Sequence, residues 1–385
     1  MKRRDLLLAG AAATGAAMLP RFAFAEPNRI DWYTSSDQNI LDFWTNVVKP
    51  KFEAANSGIT INLVDGGDNA GLQAIASRAL AALGTSADPQ ADFFEGFDAR
   101  QPVGALDKGL WVDLSKENLS NYSKINPLAF KIDNLTQNLP YRGSQVLLAY
   151  DTTKLSAADA PKTWADLVKW IKANPGQFIY NRPDKGGAGG NFVRRAIYEA
   201  TGNDPSLFTV DNFSAATAEP MLQKAWDILK DLAPSMMDQG AYTSGNTQSI
   251  QLLSQGAVTM VPAWSDQSLS AISQGVLPDT TGLLQLSDLG FPGNFTRITI
   301  PSNAANKALA IKLADFLLSE EIQSAVITEL GGFPGVSWDY VASDLHDKYK
   351  DLIPSSIPVF PGGDWDKAIN DGWYRNVAPN VDRSA

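Results

Sequence analysis

Four of the five residues at positions 186–190, GGAGG, are glycine, and we call this stretch the glycine segment. It precedes a helical pattern at about 191–200, which Asn191 opens. Glycines before a helix suit phosphate binding because they let a ligand approach free backbone N–H groups. Neither nucleotide motif fits, since no Gly-Lys-Ser/Thr follows and the dinucleotide pattern counted from Gly187 meets Phe192 at its third glycine. The segment therefore predicts either a site for an oxyanion or another hydrogen-bonding ligand, or a plain flexible turn.

Carboxylates gather at two places in the chain. DFFEGFD contains Asp92, Glu95 and Asp98, and GGDWDK contains Asp364 and Asp366. Paired acids of this kind can hydrolyse glycosides, one as acid and the other as base or nucleophile. In so acidic a chain, surface and helix-cap roles are the commoner explanation. These pairs therefore keep a hydrolase open as an alternative without favouring it.

The stretch AWSDQS places an aromatic residue and an acid two positions apart. In an extended chain, Trp264 and Asp266 lie on the same side, so an indole face and a carboxylate could bind a cation together. Core packing of Trp264 beside a solvated Asp266 is the equal alternative.

These residues belong to a chain in which extended and helical patterns alternate. That alternation predicts open, mostly parallel sheets covered by helices on both faces. No long linker separates the patterns, which indicates two α/β lobes joined by crossing strands. The predicted strands are RIDWYTS (29–35), ITINLVD (59–65), ADFFEG (91–96), SQVLLAYD (144–151), GQFIYN (176–181), AVTMVPAW (257–264) and TRITIP (296–301).

Polar residues follow most of these strands. In such sheets ligands bind beyond the carboxyl ends of the strands, so the strand exits predict a hydrogen-bonding cleft. Loops are polar in general, and only the joint pattern favours a site. The exits supply Ser35, Ser36, Asp68, Glu95, Arg182 and Asp266 as candidates.

The first 25 residues have the three parts of a signal peptide. KRR at positions 2–4 is basic, positions 6–19 are apolar, and AFA at positions 23–25 predicts cleavage after Ala25. The pair Arg3-Arg4 fits twin-arginine export, with general secretory export as the alternative. An exported protein without an anchor is expected in the periplasm of a cell with two membranes.

The composition excludes several kinds of chemistry. The chain has no cysteine, which excludes disulfides, thiolate metal sites and a lipid anchor. Its one histidine, His346, lies in a charged stretch where a surface position is expected, which argues against a catalytic triad, a zinc site or a non-haem iron site. The net charge of −10 disfavours nucleic acid and anionic membranes as partners. We therefore expect no metal and no cofactor.

A series of motifs resembles the extracellular solute-binding proteins of ABC importers. The order is the same over nearly the whole chain after the leader, and the branch includes polyamine and thiamine binders. The tail GGDWDKAINDGWYRNVAP resembles YnjB-like members. The other motifs are YTSSDQNILDFW, KPKFEAAN, PKTWADL, MVPAWSD, ITIPSNAANKALAIKLADFLLSEEIQ and GGFPG.

The resemblance implies an α/β fold, that of a two-lobe type II periplasmic binding protein, in which each lobe is a mostly parallel sheet flanked by helices. Lobe 1 would comprise residues 26–145 plus 294–385, and lobe 2 residues 146–293. The chain would cross between them near Arg142–Asp151 and Leu289–Arg297. A ligand would bind between the lobes, which close around it. The closed form, a monomer, would dock on an ABC permease in the inner membrane.

The resemblance also implies contacts for the ligand. Aromatic and acidic contacts of the family correspond to Tyr33, Ser35, Glu95, Trp264 and Asp266. The polyamine binders carry an aromatic residue and an acid just before the strand matched by TRITIP. This chain has GNFTR there, with Arg297 and no acid, which argues against a polyamine.

We therefore predict a non-enzymatic periplasmic receptor for a small polar organic solute. An amine or thiamine-like cation would suit the acids and Trp264. An acid or phosphate would instead suit the glycine segment and three arginines, Arg142, Arg182 and Arg297. A zwitterion would suit both the acidic and the basic residues. An exported glycoside hydrolase using Glu95 and a second acid is the main alternative, and a cofactor enzyme is a third. The predicted ligand-binding residues are Tyr33, Ser35, Ser36, Asp68, Glu95, Arg182, Asn191, Trp264, Asp266 and Arg297.

Overall fold

The structure, a computed structural model, describes residues 27–209, 212–349, 356–358 and 364–383. The predicted signal peptide, residues 1–25, lies outside these residues. Eight strands are described: β1 Arg29–Thr34, β2 Thr60–Asp65, β3 Phe93–Glu95, β4 Leu139–Tyr150, β5 Met260–Trp264, β6 Gly282–Leu284, β7 Gly293–Thr299 and β8 Phe333–Pro334. The α-helices are α1 Gln38–Phe43, α2 Lys49–Ala55, α3 Asn69–Ala82, α4 Pro127–Ile132, α5 Trp164–Ala173, α6 Gly187–Ala200, α7 Ala215–Leu232, α8 Asn246–Ser254, α9 Ser265–Ser273, α10 Lys307–Leu317, α11 Glu320–Thr328, α12 Ser343–Tyr349 and α13 Asp364–Asn376.

The strands form one sheet in the order β2-β1-β3-β7-β4-β5, and β6 and β8 also pair with β4. β1 is parallel to both β2 and β3, whereas β7 is antiparallel to β3 and β4. The α/β prediction is confirmed, but the described sheet is mixed, because the long strands β4 and β7 run in opposite directions. The predicted strand at 176–181 is reduced to parallel bridges from Phe178 to Met260 and from Asn181 to Thr243.

Two separate groups of apolar side chains cover the two ends of this sheet. Alternation along β1 sends Trp32 into one cluster and Tyr33 into another on the opposite face. Likewise, Leu148 and Ala149 of β4 enter different clusters at the other end. Each end is therefore a lobe with a sheet between two apolar layers. We call the end around Trp32 the first lobe and the end around Leu148 the second lobe.

β4 joins the two lobes. Its first half contributes Leu139 and Tyr141 to the first lobe, and its second half contributes Val146 and Leu148 to the second. β7 lies beside β4, and Phe295 on β7 packs in the first lobe. This arrangement confirms the two-lobe fold that the sequence predicts, with strands rather than a flexible linker between the lobes.

The C-terminal helix packs on a different lobe from the one that the predicted lobe boundaries assign to it. Residues 294–385 were expected in lobe 1, yet α13 packs on the second lobe, with Trp365, Ile369 and Trp373 buried there. Their spacing of four residues places all three on one face of α13. This apolar face, which the second lobe covers, is the physical reason for the difference.

Local signals account for several helix starts. Thr163 and Asp166, in the motif PKTWADL, form a capping box at the start of α5. Ser319 caps α11 and separates it from α10. His346 is exposed, as expected, and its ring lies 5.9 Å from that of Trp338.

Two properties concern only the part of the chain that the structure describes. None of its helices combines the length and the apolar composition required to cross a membrane. Nor does that part contain three His, Cys, Asp or Glu side chains grouped so that they could hold a metal ion.

Candidate ligand-binding site

A cavity of about 250 Å³ lies between the two lobes. Residues from the first lobe, from the crossing strands β4 and β7, and from the second lobe all contribute to its wall. They are Ser35, Ser36, Asp37, Asn39, Ile40, Arg142, Ser144, Gly186, Gly187, Asn246, Trp264, Asp266, Gln267, Asn294 and Thr296.

Strand ends place many of these side chains. β1 ends at Thr34, and the turn into α1 carries Ser35, Ser36 and Asp37. β5 ends at Trp264, and α9 begins at the next residue. Both stretches therefore lie where a strand passes into a helix, which is the part of an α/β sheet where ligands bind.

The glycine segment packs tightly against Trp264. α6 begins at Gly187, four residues before the predicted start, so most of the segment is helical. A Cβ atom on Gly187 would lie 2.5 Å from Cζ2 of Trp264, and one on Gly189 would lie 1.7 Å from the carbonyl oxygen of Asn181. Glycine is thus required there for close packing rather than for flexibility.

The first N–H groups of α6 are already bonded within the protein. The amide of Gly189 donates to Oδ1 of Asn181 over 2.7 Å, and that of Ala188 donates to Oδ1 of Asn246 over 3.1 Å. Asn181 also donates to the carbonyl oxygen of Gly186. Because side chains satisfy these two donors, they are not available to a phosphate, and the predicted oxyanion site loses its main support.

Arg142 on β4 is the centre of a buried charge network. Its guanidinium donates from Nη2 to Glu95 over 2.9 Å, from Nη1 to Asp266 over 3.3 Å and from Nε to the Tyr141 hydroxyl over 2.9 Å. All three of its nitrogens are thus engaged. Since Glu95 lies in the first lobe and Asp266 in the second, one cation pairs with both lobes.

Glu95 lies behind the cavity wall and is fully buried. Its carboxylate accepts hydrogen bonds from the hydroxyls of Thr34, Ser36 and Tyr141 at 2.5, 2.6 and 2.8 Å, in addition to the bond from Arg142. Four donors around one carboxylate satisfy its hydrogen-bonding capacity within the protein.

Burial and neighbouring charges shift the ionisation of this network. Burial raises the pKa of Asp266 although Arg142 and Ser144 oppose the rise. Burial by itself would lower the pKa of Arg142, but Tyr141, Glu95 and Asp266 raise it, so the guanidinium remains charged. Burial also raises the pKa of Tyr141, whose hydroxyl therefore remains a donor.

One hydrogen bond joins the two lobes directly across the cavity. Nδ2 of Asn246 donates to Oδ2 of Asp37 over 3.4 Å. Asn246 is the first residue of α8 in the second lobe, and Asp37 precedes α1 in the first. The same asparagine also caps α6, so it connects the glycine segment to the opposite lobe.

Four predicted site residues line the cavity: Ser35, Ser36, Trp264 and Asp266. Glu95 does not line the cavity, but it accepts a hydrogen bond from the hydroxyl of Ser36, which does. That a ligand contacts these side chains remains a prediction.

Two predicted site residues of the first lobe lie outside the cavity wall. The Tyr33 hydroxyl donates to the carbonyl oxygen of Gln90 over 2.8 Å. Asp68 caps α3 by accepting from the amide of Gly71. Both side chains have partners that explain their positions without a ligand.

Three further candidates also lie outside the cavity wall. Arg182 donates to the carbonyl oxygen of Asp382 over 2.8 Å. Asn191 is fully buried and donates to the carbonyl oxygen of Pro292. Arg297 pairs with Asp133 at 2.7 Å. Of the three arginines considered for an anionic ligand, only Arg142 lines the cavity.

Several lining residues had no clear signal in the sequence. Asn246 begins a helix and does not follow a predicted strand. Ser144 and Asn294 lie on the crossing strands, where alternation predicts burial and not a binding role. Asp37 and Asn39 do follow the first strand and belong to the strand-exit pattern, although neither is among the predicted ligand-binding residues.

A family described as bacterial extracellular solute-binding protein matches residues 48–352. Protein YnjB of Escherichia coli K12 is 26% identical over 258 residues, which are 63% of this chain and 63% of YnjB. The match thus spans less than two thirds of that relative's length.

Solved structures share the fold at low identity. A periplasmic thiamin binding protein superposes with a TM-score of 0.61 and 18% identity, over 94% of this chain and 99% of its own. The periplasmic binding protein AfuA of Actinobacillus pleuropneumoniae, with fructose-6-phosphate bound, gives a TM-score of 0.61 and 17% identity, over 91% of this chain and 99% of its own. The resemblance drawn from the motifs is confirmed, and the chain belongs to the family of bacterial extracellular solute-binding proteins.

Proposed function

We propose that this protein is the periplasmic receptor of an ABC importer and that it binds a small organic solute carrying a cationic group. Solute binding is the activity of its family, and the cavity between the lobes is the place where one molecule could contact both. A ligand that bridges the lobes stabilises the closed form only if it binds that form more tightly than the open one.

The balance of charge in the cavity favours a cation. Its wall contains the carboxylates of Asp37 and Asp266, and the nitrogens of Arg142 are already bonded. Among the described residues, and counted with Glu95 behind the wall, three carboxylates surround the one guanidinium of Arg142, so a phosphate would meet an excess of negative charge. A ligand ammonium or thiazolium-like cation would supply the missing positive charge, and Trp264 offers an indole ring for it. This charge balance is the observation that carries the proposal.

Two further features agree with a compact ligand that donates hydrogen bonds. The buried side-chain oxygen of Gln267, in the cavity wall, has no hydrogen-bond partner among the described residues. A ligand N–H would satisfy it. The cavity volume of about 250 Å³ is below the roughly 300–1,000 Å³ of pockets for drug-sized ligands. A small amine or a thiamine-sized cation fits this description better than an oligosaccharide.

The hydrolase alternative receives no support from Glu95. A glycosidase needs carboxylates that reach the glycosidic bond from both sides. The side chain of Glu95 is fully buried, and four donors surround it. We therefore propose a receptor that releases its ligand chemically unchanged.

The proposed partner is an ABC permease in the inner membrane, and the proposed solution state is a monomer. Export through the predicted leader, by the twin-arginine or the general secretory route, would bring the mature chain to the periplasm. Family membership supports the importer and the location outside the cytoplasm.

The ligand class can be tested by native mass spectrometry of protein purified from periplasm, followed by calorimetric titration. The panel would contain thiamine, choline and putrescine as cations and fructose-6-phosphate as the anion. We expect a cation to co-purify or bind and the anion to give no heat. Binding of fructose-6-phosphate alone, or hydrolysis of chromogenic glycosides, would overturn the proposal.

The site can be tested with a pair of tryptophan variants. Trp264→Ala should weaken binding of the panel cation by roughly tenfold or more, because it removes the indole face. Trp170→Ala is the matched control, since Trp170 is also half-buried and in the second lobe but lies outside the cavity wall. Equal affinities in both variants would show that the cavity is not the site.

A further inference from the structure

The C-terminal helix α13 lies beyond residues 48–352, which the family match covers. It packs on the second lobe with its tryptophans buried. Beyond this packing, its side chains form directed polar contacts with the elements that carry the glycine segment.

The first of these contacts lies immediately before the glycine segment. The Tyr374 hydroxyl donates to Oδ1 of Asp184 over 2.8 Å, and Asp184 is two residues from Gly186. Burial, with Asp184 adding to it, raises the pKa of Tyr374 to about 12, so the hydroxyl keeps its proton and donates at neutral pH.

The second contact acts through Tyr180. Nε1 of Trp373 donates to the Tyr180 hydroxyl over 3.0 Å. The Tyr180 ring lies 4.6 Å from that of Phe192, which belongs to α6. A third contact pairs Asp366 of α13 with Arg194 of α6 at 2.6 Å. α13 thus contacts α6 directly at Arg194 and reaches the glycine segment and Phe192 only through Asp184 and Tyr180.

The glycine segment leaves little freedom for α6 to shift. Gly187 already packs so closely on Trp264 that a single added carbon would overlap the indole. A small displacement of the segment would therefore move Trp264 or open a gap beside it. Such a gap would loosen one wall of the cavity.

We propose that α13 is a positioning element of the solute site, in which Tyr374 and Trp373 hold the glycine segment against Trp264. Neither residue lines the cavity, so both act indirectly: Tyr374 through Asp184, and Trp373 through Tyr180 and Phe192. The inference rests on the proposed function in one respect, namely that Trp264 belongs to the ligand site.

The test uses a double variant that carries both Trp373→Phe and Tyr374→Phe. It is compared with the unmodified chain in the absence of ligand. It removes two hydrogen-bond donors; Tyr374→Phe keeps the ring, whereas Trp373→Phe replaces the indole with a smaller aromatic ring, a truncation that the control below also makes. We expect the amides of Ala188 and Gly189 to exchange with deuterium about tenfold faster, because the segment opens more often. We also expect the 5-fluorotryptophan resonance of Trp264 to shift or broaden. Because the chain has ten tryptophans, Trp264→Phe assigns that resonance.

Trp365→Phe is the matched control on the same helix. It removes the bond from Nε1 of Trp365 to the carbonyl oxygen of Thr209, which is remote in sequence from the glycine segment. It should lower the melting temperature and leave both readouts at the glycine segment unchanged. The proposal is overturned if the double variant leaves exchange and the Trp264 resonance unchanged, or if the control alters them equally. If both readouts change and no panel cation binds, the proposed ligand falls and the positioning role remains.

Discussion

Arg142 connects a carboxylate of each lobe and is a lining residue of the cavity. Arg142 is the one cation among the described lining residues and pairs with both Glu95 and Asp266, so negative charge exceeds positive charge around the cavity. Burial already favours the protonated form of Asp266. A cationic ligand would favour the ionised form, so the ligand and a proton compete for this carboxylate.

This competition predicts a pH dependence of binding. A panel cation should bind with higher affinity as the pH rises through the pKa of Asp266, which lies above the ordinary aspartate value of 3.8. Below that pKa the carboxyl is neutral and the charge attraction is lost. Asp266→Asn should weaken binding by roughly 10–100-fold at neutral pH and remove this part of the pH dependence. Titration calorimetry in buffers of different ionisation enthalpy measures both effects.

Asp92 provides the control for this prediction. Burial raises its pKa as well, but it lies outside the cavity wall and accepts from the amides of Asp31 and Asn306. Binding of a cation, which favours ionised Asp266, should release a proton from the protein. Asp92→Asn should therefore leave the number of protons released on cation binding unchanged. If that variant abolishes the release and Asp266→Asn does not, the assignment to Asp266 is wrong.

Helix α6 begins with glycines because three neighbours approach its first turn: Trp264, Asn246 and the backbone of Asn181. The asparagine side chains supply the hydrogen bonds that the first turn of a helix otherwise lacks. Asn181 is fully buried and bonds both an N–H and a carbonyl group of this turn. The start of α6 is therefore a rigid part of the cavity wall.

Asn181→Ala should lower the free energy of unfolding by about 2–3 kcal/mol, because it leaves the amide of Gly189 buried without a partner. Urea denaturation measures this loss. Asn56→Ala is a suitable comparison, since Asn56 is half-buried and donates only to the carbonyl oxygen of Phe52 at the end of α2. A loss no greater than that of Asn56→Ala would contradict the role given to Asn181.

The two lobes share strands β4 and β7, so neither lobe folds around a sheet that is wholly its own. The buried network of Arg142 lies at this junction, and the bond from Asn246 to Asp37 crosses the cavity nearby. The relative position of the lobes therefore depends on polar contacts as well as on continuous strands.

Arg142→Met should destabilise the whole molecule by about 3–5 kcal/mol at neutral pH, because two buried carboxylates lose their shared cation. Without that cation the folded-state pKa of Asp266 should rise further. Stability from a raised carboxyl pKa is present at low pH and is lost as the pH rises, so the deficit should shrink in acid. Urea denaturation of variant and parent at several pH values measures it.

Arg100→Met is the corresponding control. Arg100 pairs with Asp98 and Asp133, but its side chain is 49% exposed. Its removal should cost about 1 kcal/mol or less. The role given to Arg142 is wrong if Arg142→Met lowers the free energy of unfolding no more than Arg100→Met does. It is also wrong if the loss caused by Arg142→Met increases at acidic pH.

Local patterns in the sequence were sufficient for much of the fold. Alternation and helical spacing predicted the α/β class, and the capping box at Thr163 and the cap at Ser319 are present in the structure. The strand-exit pattern selected Ser35, Ser36 and Asp266, which line the cavity. Such features depend on neighbours within a few residues, which is why they can be predicted without coordinates.

Contacts between distant parts of the chain were decided only by the tertiary structure. Arg142 meets acids at positions 95 and 266, and α13 lies on the second lobe rather than the first. The glycine segment could have been a turn or an anion site until Trp264 and two asparagines were found against it. Periodicity records which face of an element is buried, whereas the order of strands in the sheet determines which buried faces and charges meet.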